Sequence, residues 1–191
     1  MYQPKILFIN ALKSDYLQDW LYAGLVKKLG AKYVYDYPFN YRYHIPLKEY
    51  PKNVGYTPRT LLPRLMSSMK DYDLVVVASS TPSCFGSYVD LLPKIPKSTP
   101  VVFIDGGDRE EIGGDLARLG GSDLWEKANK IRPFDLIFKR EYLKEKNYAD
   151  NIRPFPFCVN FDNIPKKLNL DKTYDASFWA VESDPIRSKA L

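Results

Sequence analysis

Histidine is almost absent from this chain, cysteine is scarce, and no apolar run is long enough to cross a bilayer. His44 is the sole histidine among 191 residues, and Cys84 and Cys158 are the only cysteines. No CxxC pair and no Cys/His cluster occurs, which excludes a zinc site built from those ligands. Both thiols are expected to be small buried apolar groups, because a disulfide is improbable in a cytoplasmic chain. No window approaches 18 continuous apolar residues, so none reads as a membrane span. The opening MYQPKILFINA lacks a basic segment followed by a long apolar one; it reads as a first strand, not a signal peptide. A cytoplasmic location is the expectation.

Several motifs are missing too. The loop after the first strand, Asn10-Ala11-Leu12-Lys13-Ser14, holds no glycine, and Gly106, Gly107, Gly113, Gly114, Gly120 and Gly121 do not form GxGxxG after a first strand. The dinucleotide fingerprint and the GxxxxGK[ST] loop are therefore absent, which disfavours a nicotinamide oxidoreductase and a P-loop NTPase. No GxSxG elbow occurs, and the only histidine lies in a loop, so serine hydrolysis is disfavoured. The net charge is +5, enough to permit attraction to phosphates, nucleotides or an anionic membrane surface. The lysines and arginines form no stripe, so nucleic acid is not an expected partner.

What is present is alternation. Lys5 to Asn10 reads as a buried strand, and residues 16 to 29 as an amphipathic helix with Leu17, Trp20, Leu21, Leu25 and Leu29 on one face. Ser14 or Asp15 would cap that helix and Gly30 would end it. Strands are expected at 32 to 38, 73 to 80, 100 to 105 and 134 to 142, with an extended piece at 153 to 160. Helices are expected from Thr57 or Thr60 onward with Pro63 in the first turn, after Ser83, and over 123 to 131. Apolar strands alternating with amphipathic helices predict an α/β fold, a Rossmann-like doubly wound parallel sheet spanning residues 1 to 160. Residues 161 to 191 read as a linker and the start of a second domain, or as a segment packing back on the first.

Ligands of open α/β sheets sit at the carboxyl ends of the strands. That rule selects Asn10, Ser79 and Ser80, the turn Asp105-Gly106-Gly107-Asp108, and Lys139-Arg140-Glu141. Glycines allow a ligand close approach, and Asp105 would hydrogen-bond a sugar or act as a base. The competing reading is a strand-to-loop turn whose aspartates cap backbone amides. Arg140 would grip a phosphate or carboxylate through two parallel hydrogen bonds, or simply pair with Asp105, Asp108 or Glu141. Two carboxylates also suit Mg²⁺, but no phosphate-binding motif accompanies them, so neither a metal nor a cofactor is expected. Residues 39 to 56 read as a long tyrosine-rich loop in which rings bind a ligand or fold back on themselves, with His44 either a base or a solvated side chain.

Four segments in order, VVFIDGGD, FDLIFKREY, RPFPFCVN and YDASFWAV with DPIR after it, carry a resemblance. The chain resembles the CgeB-like and related bacterial glycosyltransferases of GT-B architecture. Asp105, Asp108, Lys139-Arg140-Glu141, Pro154-Phe155-Pro156-Phe157, and Asp175, Ser177 and Phe178 with Arg187 occupy the corresponding positions; Ala180 stands where such relatives place glycine. The likeness covers residues 100 to 191, and the first hundred only by layout. It implies the N-terminal half of a two-domain enzyme, inactive alone. A glycan or lipid-linked acceptor would sit on this half, and a nucleotide-sugar donor on a C-terminal domain. Asp105, Asp108, Glu141 and His44, in that order, are the candidate bases, with Asn10, Ser79, Ser80, Gly106, Gly107 and Arg140 as substrate contacts. Peripheral contact with a membrane fits such an acceptor. The alternative is a non-catalytic, flavodoxin-like α/β binding module.

Overall fold

A computed structural model describes residues 2–44 and 67–157. Six strands run through it: β1 (Ile6–Ile9), β2 (Val34–Tyr37), β3 (Leu74–Val77), β4 (Val101–Asp105), β5 (Leu136–Lys139) and β6 (Ile152–Pro154). All pair in parallel, in the order β2-β1-β3-β4-β5-β6. The helices are α1 (Tyr16–Leu29), α2 (Pro82–Leu91), α3 (Gly114–Arg118) and α4 (Ser122–Ile131). The fold is the α/β, Rossmann-like doubly wound sheet that the alternating pattern predicts. Its order reverses between β1 and β3, the switch point beside which ligands of such sheets bind.

Alternation along each strand sorts the core into two layers. Leu7, Ile9, Val75, Val77 and Phe103 face α2 and α4, where Phe85, Tyr88, Val89 and Ala128 are buried. Ile6, Phe8, Val34, Val76 and Ile104 face the other way, joined by Leu17, Tyr22 and Val26 of α1. Phe103 lies in an aromatic nest, its ring 5.0 Å from Phe85 and 5.2 Å from Phe134.

Local signals explain the ends of α1. Asp15 accepts from the Leu17 and Gln18 amides, and Gly30 closes the helix at φ 95°, where a side chain would be strained. Its buried face differs from the expected row of leucines. Leu17, Gln18, Asp19, Tyr22 and Val26 are buried, while Leu21, Leu25 and Leu29 flank them. The rotation arises because Gln18 and Asp19 turn inward to a polar network. The second strand is shorter than expected, as Ala31–Tyr33 forms a 3₁₀ turn. Helix α2 begins at Pro82, which sits where a missing N–H costs nothing. Expectations for Thr57, Thr60, Pro63, Tyr50, Tyr56, Cys158, Asp175, Ser177, Phe178, Ala180 and Arg187 fall outside the described residues.

Candidate functional site

The parallel register sets Asp105 beside Lys139 at the carboxyl ends of β4 and β5. Period-two alternation turns both side chains toward the layer that holds Phe103 and Ile137. Both are fully buried, and Lys139 Nζ lies 3.2 Å from Asp105 Oδ2. Ser80 Oγ donates to Asp105 Oδ1 at 2.8 Å, and the Gly113 amide donates to Oδ2 at 2.9 Å. Lys139 Nζ also donates to the Arg109 carbonyl. The buried pair therefore ties the middle and the far end of the loop 106 to 113 to the sheet. Asp105 has no open face toward solvent, so its geometry suits positioning and not proton abstraction from a bound molecule.

The glycines serve this loop. A β carbon at Gly107 would stand 2.6 Å from Asp115 Oδ2, and one at Gly106 would stand 2.7 Å from Leu17 Cδ2. Gly113 takes φ 70° as it turns into α3. Asp115 accepts from the Asp108 amide and from Arg118 Nε. Burial alone would raise the Asp115 pKa, but those hydrogen bonds and the nearby cations outweigh it and hold the carboxyl below its ordinary value.

The loop presents a charged cluster. Arg140, largely buried, pairs with the exposed Asp108 and, through Nε, with the half-exposed Glu141 at 3.0 Å. Its guanidinium lies 4.7 Å from the centre of the Phe157 ring, and its amide donates to the Asp105 carbonyl at 3.0 Å. Between the loop and helices α3 and α4 opens a groove of about 480 Å³, lined in part by Arg109, Glu111, Gly113, Arg118 and Trp125; Asp108, Arg140 and Glu141 do not line it. That volume falls in the range of small-molecule sites, about 300–1,000 Å³.

Among the described residues, polar side chains bond to one another and to the backbone at the switch point between β1 and β3. Asn10 is fully buried; its amide donates to the Tyr37 carbonyl, Nδ2 donates to the Pro38 carbonyl, and Oδ1 accepts from Asn40. Gln18 brackets Ala11, accepting from its amide at 2.7 Å and donating to its carbonyl at 3.1 Å. Ser79 Oγ donates to Asp15 Oδ2 at 2.9 Å, and burial pushes that carboxyl up. An anion at a helix start needs open N–H groups. Here Asp15 already takes the helix-start amides of Leu17 and Gln18, and the Gln18 side chain takes the loop amide of Ala11.

His44 sits at the far side, behind β2. Its Nε2 is 2.9 Å from Asp36 Oδ1, its ring stacks on Phe39 at 4.7 Å, and burial pushes its pKa down to about 4. Three strand spacings separate β2 from β4, roughly 14 Å. The expected residues thus divide. Ser80, Asp105, Gly106, Gly107, Asp108, Arg140 and Glu141 meet at β4 and β5, whereas Asn10, Ser79 and His44 belong to the buried network near β1 and β2. Tyr35 and Tyr43 are also buried there, with Tyr43 stacked on Tyr22 at 4.1 Å.

Sequence reasoning left Lys139 and Asp115 without a role. A period-two count from Ile137 would have turned Lys139 inward, toward an apolar layer where a lysine needs a carboxylate. Among the described residues, no group of three histidine, cysteine or acidic side chains is placed to hold a metal ion. Set against protein-family models, curated proteins and solved structures, the chain matches none.

Proposed function

We propose that this domain is the acceptor-side half of a GT-B glycosyltransferase, moving a sugar from a nucleotide-sugar donor to the hydroxyl of a glycan or lipid-linked acceptor. The observation that carries the reading is the Asp108–Arg140–Glu141 cluster at the strand ends, in which the carboxylates of Asp108 and Glu141 reach solvent around a largely buried guanidinium. The order of the segments around Asp105, Lys139-Arg140-Glu141 and Pro154-Phe155-Pro156-Phe157 supports it from the sequence side. An acceptor hydroxyl needs a carboxylate within hydrogen-bond reach to take its proton. Asp108 and Glu141 have exposed carboxylates suited to that task. Arg140 orients them and donates to the acceptor, and the buried Asp105–Lys139 pair holds the loop in place. The donor would sit on a further domain.

The test is glycan binding by the chain. A glycan array followed by calorimetry should find a saccharide that binds saturably. Arg140→Ala should weaken it about tenfold, the loss of roughly 1.4 kcal/mol. No saccharide bound, or equal binding by the variant, would remove the reading.

The strand order favours a second reading, because 2-1-3-4-5 is shared with flavodoxin-like modules that hold a flavin at the switch between β1 and β3. The occupied amides and the part-buried Asp15 carboxyl at that point oppose it. Saturable binding of flavin mononucleotide would revive it.

A further inference from the structure

The groove between the loop 106 to 113 and helices α3 and α4 has no part in the Asp108–Arg140–Glu141 cluster. The loop follows β4, so the groove of about 480 Å³ lies at the carboxyl side of the sheet, where ligands of open sheets sit. Its backbone is fixed before anything binds. The Gly113 amide donates to Asp105 Oδ2 at 2.9 Å, and the Arg109 carbonyl accepts from the buried Lys139. One wall is apolar, formed by Ile112, Ala117 and the part-buried Trp125. The core holds that indole in place: its ring centre lies 5.9 Å from Phe85, 5.8 Å from Phe103 and 5.9 Å from Phe134.

The charges of the lining balance. Arg109 and Arg118 supply two positive groups, and Glu111 and Glu126 supply two negative ones. They do not neutralise one another. Arg118 pairs with Asp115, and among the described residues the side chains of Arg109, Glu111 and Glu126 form no ion pair. Gly114 brings two of them together. Its φ is not positive, so its backbone does not call for glycine. Yet a β carbon there would stand 2.7 Å from Arg109 Cβ and 3.3 Å from Glu111 Oε2. The missing side chain leaves room for a cation and an acid against the start of α3. A simple anion in the groove would meet Glu111 and Glu126, and a simple cation would meet Arg109 and Arg118. A neutral molecule with both charges on adjacent atoms meets neither conflict. Its carboxylate takes two parallel hydrogen bonds from a guanidinium, its ammonium donates to a carboxylate, and a ring fills the apolar side.

We propose that this groove binds a zwitterionic α-amino acid with an aromatic side chain. Arg109 takes its carboxylate, Glu111 takes its ammonium, and its ring rests on the wall of Ile112, Ala117 and Trp125. The inference uses none of Asp108, Arg140 and Glu141, so it stands or falls apart from the transfer reading.

Titration calorimetry of the whole chain with phenylalanine, tyrosine and tryptophan is the test. At least one of them should bind saturably at one site. Its amide, which lacks the carboxylate charge, and its 3-arylpropionate, which lacks the ammonium, should each bind about tenfold more weakly, the loss of one charged hydrogen-bond partner. Arg109→Gln should weaken the amino acid about tenfold and erase its advantage over the amide. Glu111→Gln should do the same with respect to the arylpropionate. Both side chains are exposed, so both variants should melt as the wild type does. Absence of saturable binding by all three amino acids would overturn the proposal. So would equal binding of the amide or the arylpropionate, or wild-type affinity in either variant.

Discussion

Replacing Lys139 with methionine perturbs the centre of this architecture with little change of shape. In the wild type, Nζ satisfies Asp105 Oδ2 at 3.2 Å and the Arg109 carbonyl, with both side chains out of contact with water. The variant leaves a buried carboxylate held only by the Ser80 hydroxyl and the Gly113 amide. Removing one partner of a buried ion pair costs about 3–5 kcal/mol. For a domain of this size each kcal/mol lowers Tm by about 2–4 °C, so the expected fall is about 6–20 °C. Urea unfolding followed by circular dichroism gives the free energy directly. The double variant Asp105→Leu, Lys139→Met removes the stranded charge and should regain part of the loss. Recovery stays incomplete because the Gly113 amide and Arg109 carbonyl lose their partners, at about 1–3 kcal/mol for each buried group left unpaired. Hydrogen exchange should show faster opening at residues 106 to 113 in the single variant. A Lys139→Met protein within 1 kcal/mol of wild type, with that loop unchanged, would refute the ion pair as the anchor.

Two further outcomes follow from the core and from the histidine. Phe103→Ala removes a fully buried ring packed against Phe85, Phe134 and Trp125, and should cost about 3–5 kcal/mol in urea unfolding; a loss under 1 kcal/mol would contradict that packing. His44, pushed down to about 4 by burial, stays neutral in the folded state while the unfolded imidazole protonates below its ordinary value of 6.5. Unfolding then takes up a proton, so this contribution to stability is complete above pH 6.5 and is lost as pH falls toward 4. The facing Asp36 carboxylate opposes the shift, so the loss should be about 2 kcal/mol, smaller than burial alone would give. The stability of His44→Gln should fall less steeply than wild type across that window, and parallel profiles would show that the imidazole is not buried neutral.

Much of the frame was legible because local chemistry marks it. Asp15 and Gly30 bound α1 at residues 16 to 29, a helix follows the third strand, though from Pro82 and not Ser83, and the valine-rich stretches become central strands. The Asp108–Arg140 pairing was legible as well, since both residues fall at neighbouring strand ends. Two things were not. The five-residue α3 is too short for periodicity to reveal, and it owes its start to a left-handed glycine. A period-two count from Ile137 turns Lys139 inward, but its pairing with Asp105 depends on strand order and register, which no single segment encodes. Helix α1 misled in a related way. Its leucines suggest one face, but Gln18 and Asp19 are drawn inward by Ala11 and Tyr43, partners distant in the chain.

The most direct test of the proposed acceptor site is to map a bound saccharide onto the backbone by nuclear magnetic resonance. Titrated with the best glycan from the array, amides of residues 106 to 114 and of Arg140 and Glu141 should shift together with one dissociation constant. Shifts confined to the loop between β1 and α1 and to Ser79–Ser80, with residues 106 to 114 and Arg140 and Glu141 unmoved, would contradict the assignment.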